Sequence, residues 1–346
     1  MGRCTFILAF ICCSSLCAQI GTAQNCPTVP APTTCGCDFD LVFQNSFQTP
    51  AIASTLPPDS TPLLLNWTSP VDGTTVSTGF VQPRGTFTGP ANTGITINDR
   101  AALSAANGFL GPAIALIPGS NTLLLKATTL DGETQTITRT VTFNASGEPE
   151  AALLADSVGG YAPHSANFRV QLKAGSDNTF QQIAIDYLSD GQIDFTTSDP
   201  LVALSYSYNT IGLSQASAVV TLRNPMNVIS TVNVSRWVLA ESLPIQRLTL
   251  CKVFNDMKSR LVANSIPTAL LAVNVDYRSR MQTLWTGLGA GLPNAANNLG
   301  FVLDGDLSSY QAQLRVARPQ ATPTNWSVFP MLLTRDADGV WRIRRM

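Results

Sequence analysis

Short β-branched runs broken by Asp-Gly, Thr-Gly and Arg-Gly pairs fill the stretch LLLNWTSPVDGTTVSTGFVQPRGTFTGPANTGITIND, residues 63–99. Glycine and proline recur too often for helical turns to develop, whereas the spacing suits strands separated by tight turns. The pattern continues in SNTLLLKATTLDGETQTITRTVTF, residues 120–143, which predicts a long hairpin turning at Asp131-Gly132. Composition agrees. Charged residues make up 12% of the chain, against about a quarter ordinarily. Thr, Ser, Asn, Gly and Pro take up the polar balance, a mixture suited to sheet faces and turns. A length of 346 residues leaves room for two or three domains, each with its own core.

The formal net charge is −1, with no block of Lys or Arg. Phosphate-rich partners therefore have no electrostatic attraction here, which argues against nucleic acid and against an anionic membrane surface. The N-terminus, MGRCTFILAFICCSSLCAQIGTAQNC, reads as a signal peptide over residues 1–23. Arg3 supplies the positive start, and Thr5 to Ala18 form an apolar stretch too short to span a bilayer. Gly21-Thr22-Ala23 offers small residues for cleavage, so a mature chain beginning at Gln24 is expected, with cleavage after Ala18 as the alternative. A lipoprotein box would want Leu three places before the modified cysteine, where Cys17 has Ser14. No later stretch is apolar enough to insert into a membrane. The expected destination is the periplasm, the cell surface or the medium.

Export leaves Cys26, Cys35, Cys37 and Cys251 of the eight cysteines. In an oxidising compartment four thiols read as two disulfides. Cys35 and Cys37 are too close to pair without strain, so Cys26 is expected to take one and Cys251 the other. The spacing C-x8-C-x-C is not a zinc pattern.

Residues 24–62, rich in Pro, Thr and Ser, read as a stapled N-terminal segment and linker containing the strand-like Asp40–Gln44. Residues 63–147 resemble a bacterial Ig-like domain in SPVDGTTV, GPANTGITIND and PGSNTLLLKATTLDGETQTITRTVTF. Residues 148–242 resemble a PKD domain: GGYAPHSANFRVQL is similar to that family's first strand, IDYLSDG to its Trp-Asp-Phe-Gly-Asp-Gly turn, and SYSYNTIGLSQASAVVTL to its closing hairpin. The Trp and the Gly before Asp190-Gly191 are missing. In residues 243–346, Val253, Met257 and Leu261 stand at helical spacing, Asn264-Ser265-Ile266-Pro267 is a helix stop and restart, and DYRSRMQTLWTGLG forms a further helix. Strands follow, ending in DGVWRI. This third part resembles the nuclear-transport-factor-2-like fold, a cystatin-related α+β cone. The expected fold is thus mainly β: two tandem Ig-like β-sandwiches followed by a C-terminal α+β domain, three domains in a row.

Candidate sites are few. In IAIDYLSDGQIDF, residues 183–195, Asp186, Asp190, Gly191 and Asp194 match EF-hand positions 1, 5, 6 and 9, but Leu188 and Thr197 occupy positions 3 and 12. The weak calcium candidate of Asp186, Asp190 and Asp194 stands beside a plain β-turn at Ser189-Asp190-Gly191. His164 is the single histidine; without a serine elbow or partner motif it reads as an exposed residue at the start of a strand. In the last domain Asp276 is expected exposed in a first helical turn, and Asp304-Gly305-Asp306 as a hairpin turn. Tyr277, Trp285 and Trp341 are expected to fill the helix–sheet interface; Tyr277, Trp285, Tyr310 and Trp326 could alternatively line a cavity. Strand alternation puts Arg342 and Arg344 on one, solvated face. Four Asn-x-Ser/Thr sequons, at Asn66, Asn144, Asn233 and Asn325, read as chance in a bacterial protein.

These features suggest an exported, non-enzymatic binding or structural protein with no cofactor. Its Ig-like modules would meet a protein or glycan at the bacterial envelope. The rival is an enzyme or small-ligand-binding protein using the cavity of the C-terminal domain. An exposed aromatic stripe would favour glycan, and a buried, perturbed carboxylate in a cavity would favour an enzyme.

Overall fold

The computed structural model describes residues 56–105, 107–319 and 326–346. The signal peptide, Cys26, Cys35, Cys37, the segment 40–44 and Asn325 lie outside the described residues, as does the side chain of Trp326.

Two β-sandwiches follow one another. In the first, Leu64–Ser69, Arg84–Thr88, Gly108–Leu110 and Leu103–Ala105 form one sheet in that order. The other runs Thr75–Val76, Thr134–Phe143, Gly119–Thr128, Gly94–Ile97, Arg100–Ala101. In the second, Ala151–Ala155, His164–Leu172 and Leu204–Tyr208 face a sheet ordered Gly159–Tyr161, Ile229–Glu241, Gly212–Arg223, Thr179–Asp186, Phe195–Thr197. Both five-stranded sheets share a plan. A short early strand lies parallel to the domain's last strand, and the other pairs are antiparallel. The chain begins in one sheet and crosses to the other, the arrangement of Ig-like sandwiches. This topology carries the sandwich expectation without any family resemblance.

Period-two alternation builds each core. Along Gly212–Arg223, Ala216, Ala218, Val220 and Leu222 point inward against Ile183 and Ile185, while Ser217, Val219 and Thr221 face out. In the first sandwich Trp67, Ile97, Phe109, Leu125 and Val141 fill the space between sheets. The hairpin turns at Asp131-Gly132 as expected, with Gly132 at φ 92.

The C-terminal part is α+β. Helix α1 (Leu243–Val262) is capped by Ser242, whose Oγ accepts the Ile245 N–H at 3.3 Å. Its buried face carries Leu250, Val253, Phe254, Met257 and Leu261. Asn264, at φ 58, ends the run. A short α2 (Ile266–Ala269), then α3 (Val275–Leu288) and α4 (Leu292–Asn297) follow, with α3 closed by Gly289 at φ 49. Strands Phe301–Leu307, Gln311–Pro319, Trp326–Arg335 and Trp341–Arg345 form an antiparallel meander. Its inner face, including Leu314, Met331, Leu333 and Ile343, packs on α1 and α3 in a single core that also holds Trp285 and Trp341, with half-buried Tyr277 against it.

One turn assignment changes. Asp304-Gly305-Asp306 is not a hairpin turn but lies within a strand, opposite Arg315, Leu314 and Gln313. A Cβ on Gly305 would come within 2.4 Å of the Gln313 carbonyl oxygen, so the glycine serves a close strand-to-strand approach beside a register shift.

The domains are not strung out. Leu103, Leu110 and Leu239 form a buried cluster between the two sandwiches, with Val158, Leu213 and Trp237 around it. The C-terminal domain folds back against the first sandwich. A Cβ on Gly94 would sit 2.3 Å from the Asp338 carbonyl oxygen and 2.4 Å from the Val340 nitrogen. Asn92 reads the backbone of Trp341 in both directions: its Nδ2 donates to the carbonyl at 3.0 Å and its Oδ1 accepts the N–H at 2.8 Å.

Candidate functional site

The aspartate-rich peptide folds as a turn whose carboxylates accept hydrogen bonds from its own backbone; Asp190 and Asp194 are exposed. Asp186, at the end of strand Thr179–Asp186, is buried. It accepts the backbone N–H groups of Leu188 (3.1 Å), Asp190 (3.3 Å) and Gly191 (2.8 Å). Ser189 at φ 52 and Gly191 at φ 90 bend the chain so that these donors converge. Asp194 accepts the Tyr187 N–H at 2.7 Å, and Asp190 that of Gln192 at 2.9 Å. Burial raises the cost of ionising Asp186, but the backbone hydrogen bonds outweigh it and hold the carboxyl below its ordinary range. Among the described residues no group of three or more metal-ligating side chains is assembled.

His164 starts a strand, as expected, but is buried rather than exposed. It stands opposite Tyr208 and fills space left by Gly160, where a Cβ would lie 2.7 Å from its Nδ1. Among the described residues its Nε2 has no hydrogen-bond partner.

Arg342 corrects the reading of a solvated strand face. Its side chain is 7% exposed, while Arg344 on the same face stays exposed. Alternation assigns the face but not what covers it: the turn just before the strand folds Asp336 and Asp338 over the guanidinium. Nη1 donates to Asp336 at 3.1 Å and to Asp338 at 2.7 Å, Nη2 to Asp338 at 2.8 Å, and Nε to the Leu271 carbonyl at 3.1 Å. Burial opposes the charge on Asp338, yet the Arg342 hydrogen bonds and charge prevail and lower its carboxyl. The perturbed carboxylate is part of a structural knot.

A second buried ion pair joins all three domains. Arg335, on the third strand of the meander, donates from Nη2 to Glu241 at 2.8 Å and from Nη1 to the Ala102 carbonyl at 2.9 Å. Glu241 ends the second sandwich, and Ala102 belongs to the first. Ser309 donates to the other Glu241 oxygen at 2.5 Å. Tyr161 donates to the Ser308 carbonyl at 3.0 Å, and burial pushes its hydroxyl well up. Sequence reading missed this junction, because nothing local marks Glu241 or Arg335 as a pair.

Of the other acids of the last domain, Asp256 lines a small cavity of about 130 Å³ against the first sandwich with Asp59, Asp131, Glu133, Lys252 and Arg260, and pairs there with Lys252 at 2.7 Å. Asp276 is exposed in the first turn of α3, its N–H accepted by Asn274 at 3.1 Å. Asp304 pairs with exposed Arg315. Tyr310 is half exposed at the junction, 5.8 Å from the Arg335 guanidinium.

Two larger concave surfaces stand out among the described residues. One is a shallow trough of about 360 Å³ on the outer face of the second sandwich's five-stranded sheet, lined by Ala184, Ile193, Ser217, Val219, Asn233 and Ser235 among others, with Asp186 and Gly191 of the aspartate turn at its edge. Ile193 is 53% exposed and Val219 37%, with Phe195 on the adjoining edge strand at 40%. The other, of about 720 Å³, lies between α1, α3 and α4, where Tyr277 and Trp285 form part of the wall. Among the described residues Phe195 is the one large exposed aromatic on either sandwich, so no aromatic stripe is presented there. No helix among the described residues is long and apolar enough to cross a membrane.

No known family profile matches the chain, and no curated protein matches it. Loose likenesses to solved structures exist. Fibronectin(III)-like modules of Clostridium thermocellum CbhA are 12% identical, over 52% of this chain and 95% of that one, at a TM-score of 0.19. Latent PorU from Porphyromonas gingivalis is 14% identical over 52% of this chain and 20% of its own, at 0.26. Bacteroides ovatus SGBP-B, in complex with a mixed-linkage heptasaccharide, is 12% identical over 51% and 47%, at 0.18. The chain thus matches about a fifth of PorU and under half of SGBP-B. At these scores the likenesses carry no argument, and the sandwich assignment rests on strand order and register.

Proposed function

We propose that this chain is an exported, non-enzymatic binding or structural protein of the bacterial envelope, delivered by residues 1–23 and meeting a protein partner through its second, PKD-like sandwich. The observation that carries this reading is the trough on that sandwich. Ile193 and Val219 expose apolar surface on a small-residue sheet face, rimmed by Ser217, Asn233 and Ser235. Exposed apolar surface rimmed by polar groups is the character of protein-contact patches. Aromatic stacking platforms for sugars are not offered there, which favours protein over glycan.

The ionic groups support a non-catalytic role. The buried ion pairs, Arg335–Glu241 and Arg342 with Asp336 and Asp338, hold domains and hairpins together rather than facing a shared cavity. The C-terminal domain, read as a nuclear-transport-factor-2-like module, would then be a structural support. Oxidation of Cys26, Cys35, Cys37 and Cys251 to two disulfides belongs to the same proposal, with Cys251 buried on α1.

The test is a photo-reactive amino acid placed at Val219 of the exported protein in its native host. A single saturable protein adduct, abolished by Ile193→Asp and retained by an Ile117→Asp control on the first sandwich, is expected. Adducts unaffected by Ile193→Asp, or formed equally from Ile117, would overturn the assignment. Intact-mass measurement of the same preparation should show a chain starting at Gln24 and four protons lighter than the reduced form.

A further inference from the structure

The helical cleft of the C-terminal domain is a different kind of surface from the trough. Its floor is buried and apolar, with Met281 and Trp285 at 5% and 4% exposure. Its rim is apolar too: Leu284 and Leu288, one turn apart on α3, are 55% and 42% exposed, and Met346 is 37% exposed. A volume of about 720 Å³ falls within the usual range of small-molecule sites, roughly 300–1,000 Å³. Helix α3 carries leucines toward the cleft on its 284 and 288 positions where a solvated helix face would carry polar residues.

Charge narrows the ligand. The lining contains one charged side chain, Arg280, and no acidic side chain. The guanidinium lies 5.6 Å from the Tyr277 ring, and among the described residues no carboxylate forms an ion pair with it. Asp276, one turn earlier on α3, is exposed. An apolar trench with a single cation on its wall complements a molecule with one anionic head and an apolar tail. An acidic amphipathic helix would bring several anions, where the lining offers one cation.

We infer that the cleft between α1, α3 and α4 binds a long-chain carboxylate, its tail along Leu284, Leu288 and Trp285 and its head at Arg280. This goes beyond the protein-contact proposal and does not depend on it. The full chain is titrated with hexadecanoate, below its micelle concentration, and with hexadecanol, following tryptophan fluorescence; Trp285→Phe identifies the reporting residue. Saturable binding of hexadecanoate in the micromolar range is expected, weakened at least tenfold by Leu284→Glu. Arg280→Gln should weaken the carboxylate several-fold and leave the alcohol unchanged. Leu284 and Arg280 lie on the rim, and unchanged circular dichroism would show both variants folded. Absence of saturable binding, or equal affinity of Leu284→Glu, overturns the proposal. So does equal response of acid and alcohol to Arg280→Gln, which removes the head-group assignment. Preferential binding of an acidic amphipathic peptide, or a dimer in sedimentation that Leu284→Glu dissolves, would give the cleft to another occupant and overturn it as well.

Discussion

Arg335 and Glu241, 94 residues apart in the chain, face each other at 2.8 Å with side chains 5% and 2% exposed. The pair stands where three domains meet; Ala102 and Ser309 add hydrogen bonds to it, while the Arg335 Nε is buried without a partner among the described residues. Charges so far from water are stable only while paired. Glu241→Ala leaves a buried guanidinium without its counter-charge and should destabilise the protein by about 3–5 kcal/mol. Glu241→Leu combined with Arg335→Met should recover most of that loss, because an apolar pair leaves no orphaned charge. Equilibrium urea unfolding of the two singles and the double gives the coupling directly. Additive losses would show that the two side chains act independently.

The docking of the last hairpin on the first sandwich depends on backbone proximity. Asn92, at φ 64, supplies both an acceptor and a donor to Trp341. Asn92→Gly keeps that backbone conformation and removes the amide, so its effect isolates the two hydrogen bonds, about 1–3 kcal/mol in sum. Gly94→Val should act more strongly, since its side chain would meet backbone atoms of Asp338 and Val340. Hydrogen exchange at the Trp341 amide should accelerate in both variants. Protection unchanged in Gly94→Val would mean that the two domains are held apart from this contact.

What was legible in the sequence follows the range of the interactions. Asp131-Gly132 announces its turn because turn chemistry is local, and Val253, Met257 and Leu261 announce α1 because its core face repeats along the helix. The two sandwiches were readable for the same reason. The junction was not: Asn92 meets Trp341 across 249 residues, and a glycine such as Gly94 looks like any other turn glycine until a second backbone lies against it. His164 and Arg342 misled for a related reason. Alternation tells which face a side chain shares, but Gly160 and the Asp336–Asp338 turn decide whether that face is covered.

The same distinction separates a metal loop from a turn at Asp186. Calcium sites converge about six to eight oxygens, backbone carbonyls among them, on one point. Here the oxygens of Asp186 and Asp194 are turned to backbone N–H donors. Calorimetric titration with calcium should show no binding tighter than about millimolar. A micromolar isotherm that disappears in Asp190→Ala would reverse the assignment.

If the Asp186 carboxylate organises the turn, its contribution must depend on pH in a definite direction. The folded-state pKa is held below the ordinary aspartate value, with the hydrogen bonds from Gly191, Leu188, Asp190 and Ser189 overcoming the cost of burial. Between that depressed value and the unfolded value, about 3.9, the unfolded chain binds the proton and the folded chain does not. Stability from this group is therefore fully present above the unfolded value and is lost as pH falls through the folded one. Asp186→Asn keeps an acceptor oxygen but aims an NH₂ group at N–H donors, and should cost about 1–3 kcal/mol at neutral pH. The unfolding curves of wild type and variant should converge as pH drops below about 3.9. A gap that stays constant into strong acid would mean that the variant disturbs packing around Tyr187 rather than a charged turn.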